Sequence, residues 1–330
     1  LETNQFQLKE LANLEHRGDL HLYNKLIALR RDHNLPLDTT IALGMHGDGV
    51  PYQKSTHKHS TTEVYSWNML FERDSKRFMF SCLPKELFCN CGCGGRHTLD
   101  AILEVFVWDL SMLFGGCRAV ARHDNEQWGD EDYLRSKKAG QRYGFHAVLL
   151  QARGDWPWHS LLFNFPAHNS TNMCWRCKAT QNGDLAYWHT GQHGEWRNHR
   201  YAPGEFLKEL MRKSITPCPL FRLPGFTVEE VCLGVLHVMD LGVTAYTLGN
   251  LFFEALDWSG LPHRRREGRC VLLWEKLVTW YRVHNIPNQL QNLTIPMIKR
   301  DGQVPKLRCK GKQSRYLAVS YTHLTLPTKA

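Results

Sequence analysis

The chain has 330 residues, 42% of them hydrophobic, with 11 Trp, 11 Tyr and 15 Phe, which provides for a sizeable core and excludes a disordered polymer. Lys and Arg total 41 against 32 Asp and Glu, a formal charge of +9 that excludes an acidic protein and admits a polyanion such as nucleic acid as partner. No apolar run approaches the roughly 18 residues of a membrane span, and an odd count of 11 Cys with no opening secretory signal argues against a secreted disulfide framework, so an intracellular setting without a membrane partner is expected.

In chain order, residues 1–39 read as a helical segment, with Leu8, Leu11 and Leu14 and then Leu22, Leu26 and Leu29 among charges. Residues 40–48, Thr62 to Leu70 and Lys76 to Leu83 read as three strands of an antiparallel meander. "HTLDAILEVFVWDLSMLFGG" predicts a buried helix capped by Thr98, with Asp100 in its first turn and Gly115-Gly116 as its stop. Phe145 to Trp156 returns to a strand pattern. Residues 166–225 are rich in Trp, His, Pro and Gly, with weak periodicity, and read as an insertion containing Cys and His. Residues 226–318 read as helical, opening on a capping box of Thr227 and Glu230 and a long helix to about Leu256, with a further helix over Cys270 to His284. The chain begins at Leu1 rather than Met, and Val319 to Thr328 resembles a translated sequencing adapter. Residues 319–330 are therefore expected to be foreign to the fold, and the natural sequence to be incomplete at both ends.

Two of these strands end in Gly-Asp, at Asp48 and Asp155. A meander, a helix and a returning strand lie between them, an order that suits an RNase H-like mixed α/β sheet. There the first and fourth strands lie side by side and both acids face one metal site. Phosphodiester cleavage uses hard divalent ions, Mg²⁺ or Mn²⁺, held by carboxylate oxygen, and two such ions about 4 Å apart serve the attacking and leaving oxygens. The plain alternative is a turn after each strand, since Asp and Gly are common turn residues.

"HGDGVP", His46 to Pro51, together with "FHAVLLQARGDWPW", Phe145 to Trp158, resembles the first and second catalytic Asp motifs of CACTA-type DDE transposases. "CW-C-KA" and "LH--D-GV" extend the likeness to transposon-derived proteins of dinoflagellate genomes, over roughly residues 40–318. The resemblance implies an RNase H-like core beginning with residues 40–165, interrupted by the insertion, which continues through the helical region toward the rest of the core. It implies divalent-metal-dependent DNA cleavage and strand transfer with Asp48 and Asp155 as metal ligands, DNA (transposon ends and target) as partner, a nuclear location, and it admits a homo-oligomer. A rival alignment puts Asn164 of "FNFPA" in the second acidic place; Asp155 is preferred because the strand before it aligns without a gap. The family's third acid is expected beyond the end of the chain, and Glu254 and Glu275 read as helix-surface residues. The chain is thus expected to be a fragment inactive by itself. The alternative is a non-catalytic, zinc-stabilised DNA-binding remnant.

"NMCWRCKAT" supplies Cys174 and Cys177, half of a tetrahedral zinc site, followed by His189, His193 and His199. In the resembled superfamily a downstream acid or thiol, two residues and a His complete the set. Here that motif is Gly234-x-x-His237, with Asp240 a turn further on. A zinc site of Cys174, Cys177 and His237, buried free thiols, and a redox pair all remain open. "CNCGCGGRH" supplies Cys89, Cys91, Cys93 and His97, either a second zinc set of unusual spacing or a Cys/Gly-rich turn.

Overall fold

The computed structural model describes residues 20–54, 59–72, 76–192, 194–257 and 265–325, so the expected helix positions Leu8, Leu11 and Leu14 lie outside the described residues. The chain divides into two compact units, Leu1–Cys232 and Leu233–Ala330. It is mixed α/β, with one five-stranded mixed sheet and nine α-helices among the described residues.

The first unit opens with helix α1 (Leu20–His33) and the strands β1 (Thr40–Lys54), β2 (His59–Met69) and β3 (Phe78–Pro84). These three form the expected antiparallel meander, with Leu43 level with Met69 and Thr62 level with Pro84. Helix α2 (Arg96–Gly115) and the short α3 (Tyr133–Ser136) lead to β4 (His146–Gly154), which runs parallel to β1 from Thr40↔His146 to His46↔Arg153. With β5 (Val231–Leu233) the sheet order is β3-β2-β1-β4-β5. Leu22, Leu26 and Leu29 of α1 pack with Ala42, Val148 and Leu150. Positions of opposite parity, such as Gly47, face helix α4 (Trp156–Phe163), because successive strand residues point to opposite faces.

Helix α2 is capped three residues earlier than expected, by Gly95 in a left-handed conformation, and Thr98 does not cap it. Its hydroxyl instead accepts from the Cys89 backbone N–H at 2.9 Å, and Asp100 pairs with Arg96 at 3.0 Å. Nor is the helix buried all round: Leu99, Leu103, Val107 and Leu110 form one buried stripe while Val105 is exposed. The other end is as expected, with Gly116 at φ 69° closing the helix.

The expected long helix after Phe226 is replaced by several elements. Thr227 and Glu230 do form the capping box, but it closes a single 3-10 turn, Val228–Glu230. The next three residues extend as β5, where pairing beside β4 satisfies their backbone. Gly234 follows, then a π-helix (Leu236–Thr244) and helix α6 (Ala245–Ala255). Between α4 and this stretch lies mostly irregular chain around α5 (Glu205–Arg212), in keeping with the weak periodicity of the sequence.

In the second unit, α6, α7 (Arg266–Val283), α8 (Ile295–Ile298) and α9 (Gly311–Thr325) enclose a core that includes Leu248, Phe252, Leu277, Ile298 and Leu317. Gly249 lets the backbone cross α6: a Cβ there would lie 2.5 Å from Cα of Lys306, whose neighbour Leu307 donates its N–H to Ala245 O at 2.8 Å. Buried Asp240 pairs with Arg315 at 2.6 Å, so its carboxylate serves the packing of the π-helix on α9 rather than a site shared with His237.

Candidate functional site

β1 and β4 are adjacent and parallel, and His46 is level with Arg153 in the last pair of their ladder. Two residues beyond that pair come Asp155, just past the end of β4, and Asp48, which does not end its strand as expected: it is level with Val64, and pairing with β2 carries β1 on to Lys54. Neighbouring strands lie about 4.8 Å apart, so the topology brings the two Gly-Asp motifs to one end of one strand pair. Asp48 is exposed and Asp155 half-buried. The glycine before each acid has a specific cause. A Cβ on Gly47 would lie 1.9 Å from Nε1 of Trp158, and one on Gly154 would lie 2.2 Å from its Cε3. One buried indole therefore occupies the space beside both glycines. Asp155 also caps α4, its Oδ1 accepting from the Trp158 N–H at 2.7 Å, an interaction worth about 1 kcal/mol in helices generally. Asn164, the rival second acid, ends the same helix in a left-handed turn at φ 57° and is not at a strand end.

Arg153 turns away along β1 toward Gly44, donating Nη2 to Asn68 Oδ1 at 2.8 Å, and burial, with Arg77 nearby, pushes its pKa down. Among the described residues neither Asp48 nor Asp155 belongs to a group of three or more closely set metal-ligating side chains. Glu254 and Glu275 are exposed on α6 and α7 of the second unit, as expected for helix-surface residues.

Such a group does exist at Cys89, Cys91, Cys93 and His97. Their ligand atoms all lie within 4.8 Å of one another, with His97 Nδ1 at 3.7 Å from Cys89 Sγ and 3.3 Å from Cys91 Sγ. Tetrahedral zinc, with bonds of about 2.3 Å to sulfur and about 2.0 Å to nitrogen, requires ligand separations of roughly 3.5–3.8 Å. Gly92, Gly94 and Gly95 at φ 93°, 64° and 86° curl the loop, which is how single-residue spacing converges on one point. The Cys93 thiol is pushed down to about 6, chiefly by the His97 backbone N–H donating to its sulfur, whereas the Cys89 thiol beside Cys91 raises that one. These four residues could hold a metal ion such as zinc.

Cys174 and Cys177 are also together, on the wall of a cavity of about 560 Å³ that includes Arg176, Arg200, Trp196 and Tyr201. The Cys177 thiol donates to Cys174, pushing the Cys174 pKa down to about 6 and its own up. Neither His189 nor His199 joins them in a group of three ligands among the described residues, and His193 lies outside those residues. His237 belongs to the second unit, on the π-helix.

Sequence reasoning passed over His159. It lies one turn after Asp155, fully buried, with Nε2 donating to Cys232 O at 3.1 Å and Nδ1 without a hydrogen-bond partner. Its only sequence signal is its place in "GDWPWHS".

The sequence matches no protein-family model and no curated protein.

Two outcomes are expected. Desolvation pushes His159 down to about 4 from 6.5, so the unfolded chain binds the extra proton between those values. Stability should therefore fall as pH drops from about 6.5 to about 4, by up to roughly 3 kcal/mol from this group. Urea midpoints across that window should flatten in His159→Gln, and an unchanged slope would contradict the assignment. The chain should also retain zinc through gel filtration, by elemental analysis, and Cys93→Ser should release it; equal retention by the variant would exclude the loop as the site.

Proposed function

We propose that the chain carries the RNase H-like part of a transposase-like protein that cleaves DNA phosphodiesters with Mg²⁺ or Mn²⁺. The observation that carries this reading is that Asp48 and Asp155 each come two residues past the last pair of the parallel β1–β4 ladder, in a sheet of order β3-β2-β1-β4-β5. That order sets the first strand beside the fourth, as an RNase H-like core requires. The donor set fits hard cations: two carboxylates, one of them exposed, and no soft ligand between them in the strand pair. Asp48 and Asp155 would hold the ions, whose chemistry is activation of the attacking oxygen and stabilisation of the leaving one. DNA is the partner on this reading, and the nucleus the compartment.

A second reading is a non-catalytic, zinc-stabilised DNA-binding remnant. The clustered thiols at Cys89, Cys91 and Cys93 favour it, as does the capping role that Asp155 already fills.

The test is Mn²⁺ binding by the full chain, followed by water-proton relaxation. Asp48→Asn and Asp155→Asn should each weaken binding at least tenfold. Asn caps helices about as well as Asp, so Asp155→Asn keeps α4 in place. Variants that bind Mn²⁺ like the parent would leave the remnant as the better reading.

A further inference from the structure

The segment between α2 and β4 encloses a second cleft, of about 280 Å³, whose lining includes the rings of Trp108, Trp128 and Tyr143, the cations Arg118, Arg135 and Lys138, and one carboxylate, Asp109, which interacts with Arg135. Its walls are tied by backbone: Arg118 N–H donates to Gln141 O and Tyr143 N–H to Gly116 O, both at 2.9 Å. The two indoles meet edge to face with centroids 6.2 Å apart. The Arg118 guanidinium lies 4.7 Å from the Tyr143 ring centroid, and that of Arg135 lies 6.0 Å from Trp128. Trp128 Nε1 is buried and has no hydrogen-bond acceptor. Arg135 pairs with Asp132 at 3.6 Å, but among the described residues Arg118 and Lys138 have no ion-pair partner.

The chemistry narrows the ligand. An apolar molecule would leave Arg118 and Lys138 without a counter-charge, and an acidic peptide would leave the ring faces without a stacking partner. A nucleotide satisfies both sets, since every base has a face to stack and every phosphate a charge to meet. The cleft is below the roughly 300–1,000 Å³ usual for drug-sized ligands, which suits one unit rather than several. Bases in a duplex are stacked on each other and cannot present a face here.

We propose that this cleft binds one unpaired nucleotide, its base against Trp128 and Trp108 and its phosphate at Arg118 and Lys138. The cleft shares no residue with the Asp48 and Asp155 pair, so the assignment stands whether or not those acids bind metal.

The experiment is fluorescence anisotropy of a labelled oligothymidylate of about ten nucleotides with the full chain. The single strand should bind more tightly than a duplex of the same length. Trp128→Ala should weaken binding roughly 5- to 150-fold, as stacking on one aromatic ring does elsewhere, while Trp128→Phe recovers most of it. Lys138→Gln should reduce the log–log salt slope by about 0.7. Competition by free thymidine monophosphate separates the sources: displacement at concentrations matching the oligonucleotide assigns the cleft to free nucleotides, and failure to displace assigns it to a strand. The proposal is overturned if the duplex binds as tightly as the single strand, or if neither binds. Should Trp128→Ala fail to fold, Lys138→Gln decides, and parental affinity and salt slope in that variant would overturn it.

Discussion

The buried indole of Trp158 lies against both Gly47 and Gly154, and the geometry of β1 and β4 around these glycines depends on that contact. Any side chain at either glycine would enter the ring, so the two strands can approach α4 this closely only with hydrogen at both positions. The same residue offers the backbone N–H that Asp155 caps. Strand packing and the capping of α4 by Asp155 thus meet at one residue. Tyr65 extends the contact across β2, its ring 6.2 Å from that of Trp158. His159, next along the helix, is held neutral in the same buried environment and fastens α4 to the carbonyl of Cys232.

The thiols divide by what surrounds them. Cys89, Cys91 and Cys93 sit on an open, glycine-turned loop with an imidazole in reach, an arrangement whose natural occupant is a soft or borderline cation. Cys174 and Cys177 have each other, the Arg176 backbone N–H that donates to Cys174 at 3.3 Å, and the guanidiniums of their cavity. Opposite pKa displacements in that pair describe one proton shared between two sulfurs, with Cys174 the more anionic. The better metal set is therefore the one whose sequence spacing looked less favourable. Ladder spacing along an extended strand would spread those sulfurs, and the positive φ angles at the glycines draw them together.

Much of the sheet was legible from the chain alone, because Thr62 to Leu70 and Phe145 to Trp156 carry β-branched and apolar runs that few other structures accommodate. The meander and the parallel return form as expected, but β1 runs on to Lys54, past the Asp48 at which the pattern ended it. Local capping signals were less dependable: Thr98 binds the Cys89 N–H across a loop, and the Thr227 capping box closes a turn that β-pairing then interrupts. What the sequence could not show is contact between distant segments. Trp158 reads as one aromatic among many until the two glycines are seen beneath it. Trp108, Trp128 and Tyr143 are separated by turns and loops, and only the folded segment between α2 and β4 makes them the walls of one cleft.

The central claim is that Asp48 and Asp155 form one hard-metal site. The most direct measurement is anomalous diffraction from crystals of the full chain soaked in Mn²⁺. The account predicts an anomalous peak between the two carboxylates that is lost in Asp48→Asn. Manganese found only elsewhere, with both carboxylates free of it, would contradict the claim.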